Sequence, residues 1–323
     1  MTDTRPRIVF MGTPEFAVAA LDAIISSGYN VTAVVTVPDK PAGRGQKMSV
    51  SPVKEYAVKN HLRLFQPQKL KDEAFIAELK SLDPDIFAVV AFRMLPEQVW
   101  SIPHLGTFNA HAALLPQYRG AAPINHAVIN GEKTTGVTTF LIDHEIDTGK
   151  ILLAEETEIG SMDTAGDVHD RLMAIAAGLS VRTIKGLAEH SIEPRSQGEI
   201  VSDMELKPAP KIFPADTFVQ WNRDYSAVHN FIRGLSPYPG ARTTLVRGEC
   251  RLTLKILGSR PDERQSGCGI MSVTQKGELY IGCRNGSVEI TAVQAEGRRK
   301  MSAADFLRGF DISGWTIASE ETR

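Results

Sequence analysis

The sequence predicts an α/β protein: a Rossmann-like domain on a mostly parallel sheet, followed by a small OB-like β-barrel domain. Three observations predict it. Apolar runs alternate with helix-period segments over residues 1–190. Beyond a proline-rich stretch, short strands separated by turn residues take over. The length, 323 residues, is more than one core usually holds.

Residues 7–12 (RIVFMG) form a short apolar run that reads as a buried strand. Residues 14–27 place Phe16, Ala19, Ala20, Ala23 and Ile24 at helical spacing, with Pro14 suited to the first turn and Gly28 to the end. Residues 31–36 (VTAVVT) close a βαβ opening, which implies a parallel sheet. Helices are expected over 51–60, 71–81 and 163–189, and strands over 63–65, 85–91 and 106–111. Residues 137–143 and 150–155 read as a strand pair at one edge. The expected boundaries are a catalytic domain over 1–190, a linker over 191–210 and a barrel domain over 211–323. In the barrel, strands are expected over 242–246, 251–257, 279–283 and 288–293, with helices over 225–234 and 302–308.

A hydrophobic share of 42% and a charged share of 23% exclude a disordered or collagen-like chain. Cys250, Cys268 and Cys283 are too few and too scattered for a disulfide framework or a zinc site, and suit a reducing compartment. No apolar run approaches the ~20 residues that cross a bilayer. A strand-like run begins by Ile8 and leaves no room for a signal peptide, so a cytoplasmic protein is expected.

The first βα turn, Met11-Gly12-Thr13-Pro14-Glu15, lacks the G-x-G-x-x-G that lets backbone approach a pyrophosphate. That speaks against a nicotinamide or flavin oxidoreductase. Gly12 either closes a tight turn or faces a ligand. The densest polar segment runs from Phe108 to Gly120. Asn109 and His111 are two apart at a strand end, on one face. An Asn amide can donate to an oxyanion, and a His can hold or pass a proton near neutral pH. A second strand ends at Asp143-His144-Glu145-Ile146-Asp147-Thr148-Gly149. Spacing leaves His111 and His144 in competition, and likewise Asp143 and Asp147. No G-x-S-x-G occurs and no Cys lies in this half, so covalent acyl transfer is not expected. No metal-ligand cluster is visible either.

Asn109-x-His111-x-x-Leu114-Leu115-Pro116, followed by Arg119-Gly120-Ala121-Ala122-Pro123-Ile124, resembles the signature of the folate-dependent formyltransferases. Asp143-x-x-Ile146-Asp147-Thr148-Gly149 is similar to that family's second motif. Phe10-x-Gly12-Thr13-Pro14, the loop from Pro38 to Gly45, and Ser236-Pro237-Tyr238-Pro239-Gly240-Ala241 resemble the branch that acts on charged tRNA. The resemblance implies formyl transfer from 10-formyltetrahydrofolate to the α-amine of methionyl initiator tRNA. It carries the catalytic triplet onto Asn109, His111 and Asp147, and the folate contact onto Ala113, Leu114, Leu115 and Pro116. It implies tRNA contacts from Lys40, Arg44 and Lys47 in the 38–47 loop. The formyl donor is already an activated amide, so no metal is expected, and no membrane or obligate protein partner is inferred. Two departures stand out: Ala113, where many relatives have Ser, and residues 91–96 (AFRMLP), where relatives read Ala-Tyr-Gly and run one residue longer. The second would wall the pterin pocket.

The net charge of −2 looks unpromising for a polyanionic partner. It is an average of opposite halves. Residues 1–206 carry 19 Lys+Arg and 26 Asp+Glu, and residues 207–323 carry 17 and 12. Arg233, Arg242, Arg247, Arg251, Lys255 and the run Arg298-Arg299-Lys300 are the candidate basic surface. An enzyme acting on a small amine, such as an amino sugar nucleotide, would share the triplet without needing the basic 38–47 loop. A catalytically idle RNA-binding protein would not need the triplet.

Overall fold

Residues 5–42, 47–200 and 205–318 are described in the computed structural model. They divide into two compact units that interleave in sequence. One holds Met1–Gly120, Thr135–Thr157 and Asp170–Pro208; the other holds Ala121–Thr134, Glu158–His169 and Ala209–Arg323.

The first unit is built from β1 (Arg7–Gly12), α1 (Glu15–Ser26), β2 (Asn30–Val35), β3 (Lys40–Ala42), β4 (Lys47–Ser49), α2 (Pro52–Lys59), β5 (Leu64–Phe65), α3 (Glu73–Ser81), β6 (Ile86–Val90), α4 (Glu97–Trp100) and β7 (Thr107–His111). After α5 (Pro123–Ile129) come β8 (Thr134–Leu141), β9 (Ile151–Glu158) and α6 (Ala165–Ala188). The large sheet has the order β5-β2-β1-β6-β7-β8-β9. Pairing is parallel from β5 to β7, and β8 runs antiparallel to β7. All five residues of β6 are buried, as befits a strand covered on both faces. Phe10, Phe87, Phe108 and Phe140 are fully buried. Burying each stabilises the fold by about 1.5–3 kcal/mol.

Local chemistry sets the helix starts. Ser51 accepts the Lys54 N–H at 3.1 Å and Pro52 sits at the first turn of α2. Asp72 caps α3 through the Phe75 N–H at 3.0 Å. Gly12 is required by packing: a Cβ there would lie 2.6 Å from Ala17 Cβ and 2.8 Å from the Phe10 ring. The missing Cβ lets α1 seat against β1.

The second unit contains α7 (Tyr225–Gly234), β10 (Ala241–Arg247), β11 (Cys250–Asp262), β12 (Met271–Val273), β13 (Leu279–Cys283), β14 (Gly286–Ala295), β15 (Met301–Ser302), α8 (Ala303–Gly309) and β16 (Thr316–Ile317). Its sheet runs β12-β13-β14-β11-β10-β16, with β15 on β14, and all the pairs are antiparallel. Register shifts between Ile256 and Ser259 bend the long β11–β14 pair into a barrel wall. Val228 and Ile232 of α7 plug it against Leu254, Ile256 and Ile281.

The structure departs from the sequence expectation mainly in small elements. Residues 40–42 and 47–49 pair as two antiparallel strands, with Lys40 opposite Ser49 and Ala42 opposite Lys47. α4, α5, β12, β15 and β16 have no counterpart in the sequence expectation. Each is too short, or too rich in Pro and Gly, to show a period.

Candidate active site

The strand order reverses between β1 and β6, which opens a crevice at the carboxyl ends of the parallel strands. β7 ends beside it and delivers Asn109 and His111 on one face, two residues apart. The Asn109 side-chain amide makes no hydrogen bond among the described residues, so both its donors are open to a ligand.

His111 is only 6% exposed. Its Nε2 lies 2.8 Å from the Tyr118 carbonyl oxygen. A carbonyl can only accept, so the Nε2 proton points there and Nδ1 is the nitrogen left for chemistry. Nδ1 faces Asp147 Oδ2 at 3.8 Å. That is ion-pair range but too long for a direct hydrogen bond. The same Oδ2 accepts the Gly120 N–H at 2.9 Å. Asp147 reaches this pose from a left-handed backbone, φ +57°.

The geometry separates the pairs that spacing left open. Asp143 is occupied within its own turn, where its Oδ1 accepts the Glu145 N–H and the Thr148 hydroxyl. His144 is 70% exposed, 3.7 Å from Glu97 and edge-on to Trp100. Asp147 and His111 are the pair brought together. Elsewhere, the His104 Nε2 meets Asp83 and the His126 Nε2 meets the Pro210 carbonyl.

Ala113, Leu115 and Pro116 are buried, and Leu114 is half-buried. Leu115 packs with Phe140 and Ile151. Ala113 is fully buried, so a Ser hydroxyl there would not be exposed. The Thr138 hydroxyl holds this stretch: it donates to the Ala113 carbonyl at 2.7 Å and accepts the Leu115 N–H at 3.0 Å. Residues 91–96 are tied down by Arg93, which donates to the Pro67 and Gln68 carbonyls at 2.5 and 3.1 Å. Met94 is left 69% exposed.

Lys40 is exposed on β3. The Lys47 backbone pairs with Ala42, and Arg44 lies outside the described residues. The base of this strand pair is firmly anchored. Lys54 pairs with Asp39, and the Gln66 amide donates to Asp39 Oδ1 at 2.9 Å. Together they hold the Asp39 carboxyl below the usual carboxylate range. Among the candidate basic residues, Arg233 is a correction. It is 6% exposed and donates to the Gly160 and Asp163 carbonyls, so it is structural. Arg298, Arg299 and Lys300 are exposed.

Sequence reasoning missed Thr138 and Gln197. Gln197 is 3% exposed and bonded to the Asp147 turn, yet it lies in the segment expected as linker. No periodic or spacing signal marks either residue. Among the described residues, no group of three or more His, Cys, Asp and Glu is placed to hold a metal ion. No helix there is long and apolar enough to cross a membrane.

Residues 6–184 match the formyl transferase family model, and residues 211–311 match the formyl transferase C-terminal domain model. A methionyl-tRNA formyltransferase of Bacteroides thetaiotaomicron is 47% identical over 310 residues, 95% of this chain and 96% of the relative. One from Parabacteroides distasonis is 48% identical over 317 residues, 96% and 98% of the two chains. Among solved structures, the sugar 3N-formyl transferase WlaRD has a TM-score of 0.63 at 19% identity, covering 91% of this chain and 99% of its own. HypX from Aquifex aeolicus, solved with tetrahydrofolic acid, has a TM-score of 0.65 at 17% identity, covering 98% of this chain and 51% of its own. These two share the fold.

Proposed function

This chain belongs to the formyl transferase family, and we propose that it moves a formyl group from 10-formyltetrahydrofolate to the α-amino group of methionyl initiator tRNA, for translation initiation in the cytoplasm. One observation carries the reading to the residues. His111 Nδ1 and Asp147 Oδ2 face each other across 3.8 Å beside the free Asn109 amide. At that separation a single polar atom lying to one side can contact both groups at once.

The residues act as follows. A free α-amine titrates near ~7.7–8.0, so desolvation and a nearby base need only a modest push to supply the neutral amine that attacks. Its nitrogen bonds to the formyl carbon, and the carbonyl π pair moves onto oxygen. The Asn109 amide donates to that oxygen. His111, protonated on Nδ1 and held by Tyr118 through Nε2, donates a second bond. The oxygen pair then re-forms the carbonyl, and the bond from the formyl carbon to the folate nitrogen breaks with its electron pair leaving on nitrogen. Asp147 stabilises the imidazolium and relays the proton lost by the amine to that departing nitrogen. The backbone of Ala113, Leu114, Leu115 and Pro116, braced by Thr138, contacts the folate. Lys40, Arg44 and Lys47 contact the tRNA. Residues 1–190 form the catalytic portion and 211–323 the tRNA-binding portion, joined by 191–210; the matches at 6–184 and 211–311 support this division.

The deciding experiment is formyl transfer from 10-formyltetrahydrofolate to methionyl-tRNA, with uncharged tRNA and an amino sugar nucleotide as controls. Product on methionyl-tRNA alone is expected. Transfer to the amino sugar with none to methionyl-tRNA overturns the reading.

A further inference from the structure

We propose that Gln197, gripped by Arg119, is a positioning residue that fixes the Asp147 carboxylate opposite His111, an inference that rests on the formyl-transfer reading above. The Gln197 amide is fully used. Its Nε2 donates to the Asp147 carbonyl at 2.9 Å and to the Gly149 carbonyl at 2.8 Å. Its Oε1 accepts from Arg119 Nε at 3.1 Å and Nη2 at 2.6 Å. Two donors and two acceptor positions leave nothing unsatisfied.

These bonds close a circuit. Arg119 reaches Asp147 through Gln197, and the next residue, Gly120, bonds Asp147 Oδ2 directly at 2.9 Å. Asp147 is thus held by its carbonyl on one side and its carboxylate on the other. A left-handed backbone is uncommon for a residue with a side chain and persists where its surroundings over-determine it. The grip supplies that determination. Gln197 itself is placed by the paired backbones of Ile151 and Arg195, which exchange N–H···O bonds of 2.8 and 2.9 Å. The same turn is closely packed at Gly149, with no room for a side chain. A Cβ there would lie 1.6 Å from the Leu141 carbonyl oxygen. The circuit assigns a role to Arg119, which the sequence motif singled out and the proton-transfer scheme leaves unused. It also explains a buried amide in an otherwise polar connecting segment.

Gln197→Met keeps the length and removes every hydrogen bond. A misplacement on the order of 1 Å at a reacting group can cost ~100-fold, so kcat should fall roughly 10–100-fold while both KM values stay within about 3-fold. In an Asp147→Asn background the same change should cost less than about 2-fold, because the group it positions is already lost. In substrate-free protein, amide exchange at Gly120 should accelerate about 10-fold or more as its acceptor wanders. A folded Gln197→Met with unchanged kcat overturns the proposal, as does a full additive loss in the Asp147→Asn background. If Gln197→Met does not fold, Arg119→Met must show the same three effects. A wild-type protein that transfers no formyl group overturns the functional reading instead. Gly120 exchange then decides on the clamp alone.

Discussion

The strands of the two units bury their side chains in different ways. β6 is buried at every position, whereas β10 alternates buried and partly exposed residues along its length. A strand covered on both faces can offer functional atoms only where it ends. A half-covered strand can offer them anywhere along its open face. The first region therefore concentrates its chemistry at one strand end, and the second spreads charge over a surface. Along the sequence the charge also divides: residues 1–206 carry 19 basic and 26 acidic side chains, and 207–323 carry 17 and 12; the interleaved segments Ala121–Thr134 and Glu158–His169 bring Glu132, Glu158, Asp163 and Asp167 into the second unit and soften that contrast. Point substitutions should be severe in the first region and graded in the second.

The largest effect should come from Gly149→Ala. Its Cβ has no room beside Leu141, so the Asp147 turn must rearrange. A stability loss of about 3 kcal/mol by denaturant unfolding is expected, with activity lost. A variant that melts and turns over normally would break the view of this turn as rigid. Next, Asn109→Ala and His111→Ala should each lower kcat ~100–1000-fold, the usual effect of losing an oxyanion donor, with tRNA affinity kept. Near-normal turnover in either folded variant removes that residue from the mechanism.

Smaller effects belong to the charged surfaces. Arg44→Ala should raise the KM for tRNA several-fold and leave folate binding alone. Loss of folate affinity instead would place that loop in the wrong region. Replacing Arg298, Arg299 and Lys300 with Ala should flatten the slope of log affinity against log salt by up to about 3, since each phosphate no longer neutralised removes roughly one. An unchanged slope would show the run to be solvated only.

The smallest effect is a difference in acid sensitivity. In the second unit, burial pushes the His229 imidazole below its ordinary 6.5, with Arg233 adding to the shift. The unfolded chain then takes up a proton that the folded chain refuses. His229 thus contributes stability above pH 6.5 that is lost as pH falls below it. In the first unit, Lys54 lowers Asp39. At Asp85 burial acts upward, and the Arg7 hydrogen bonds and charge together outweigh it. The contributions of both carboxylates persist until pH falls below about 3.8. Urea unfolding between pH 7 and ~5 should show a decline that His229→Gln suppresses. An identical decline in the variant would assign the acid sensitivity to other groups.

Most of the architecture was legible because it repeats locally. The helix period of α1 and the apolar runs of β1, β2 and β6 are written within five to twelve consecutive residues. The Asn109 and His111 pairing follows from strand period alone. The strand pair at Lys40 was not legible, because three-residue strands with a proline carry no period.

The sequence by itself determined the fold class, the charge division and the motif residues, since each is a property of neighbours along the chain. Only the tertiary structure brought Asp147 into ion-pair range of His111 while using Asp143 within its own turn, and withdrew Arg233 from the surface. It alone brought Gln197 to a turn 50 residues earlier. Such contacts join segments whose separation leaves no local signature; they exist because buried polar groups must find partners wherever the packed chain supplies them.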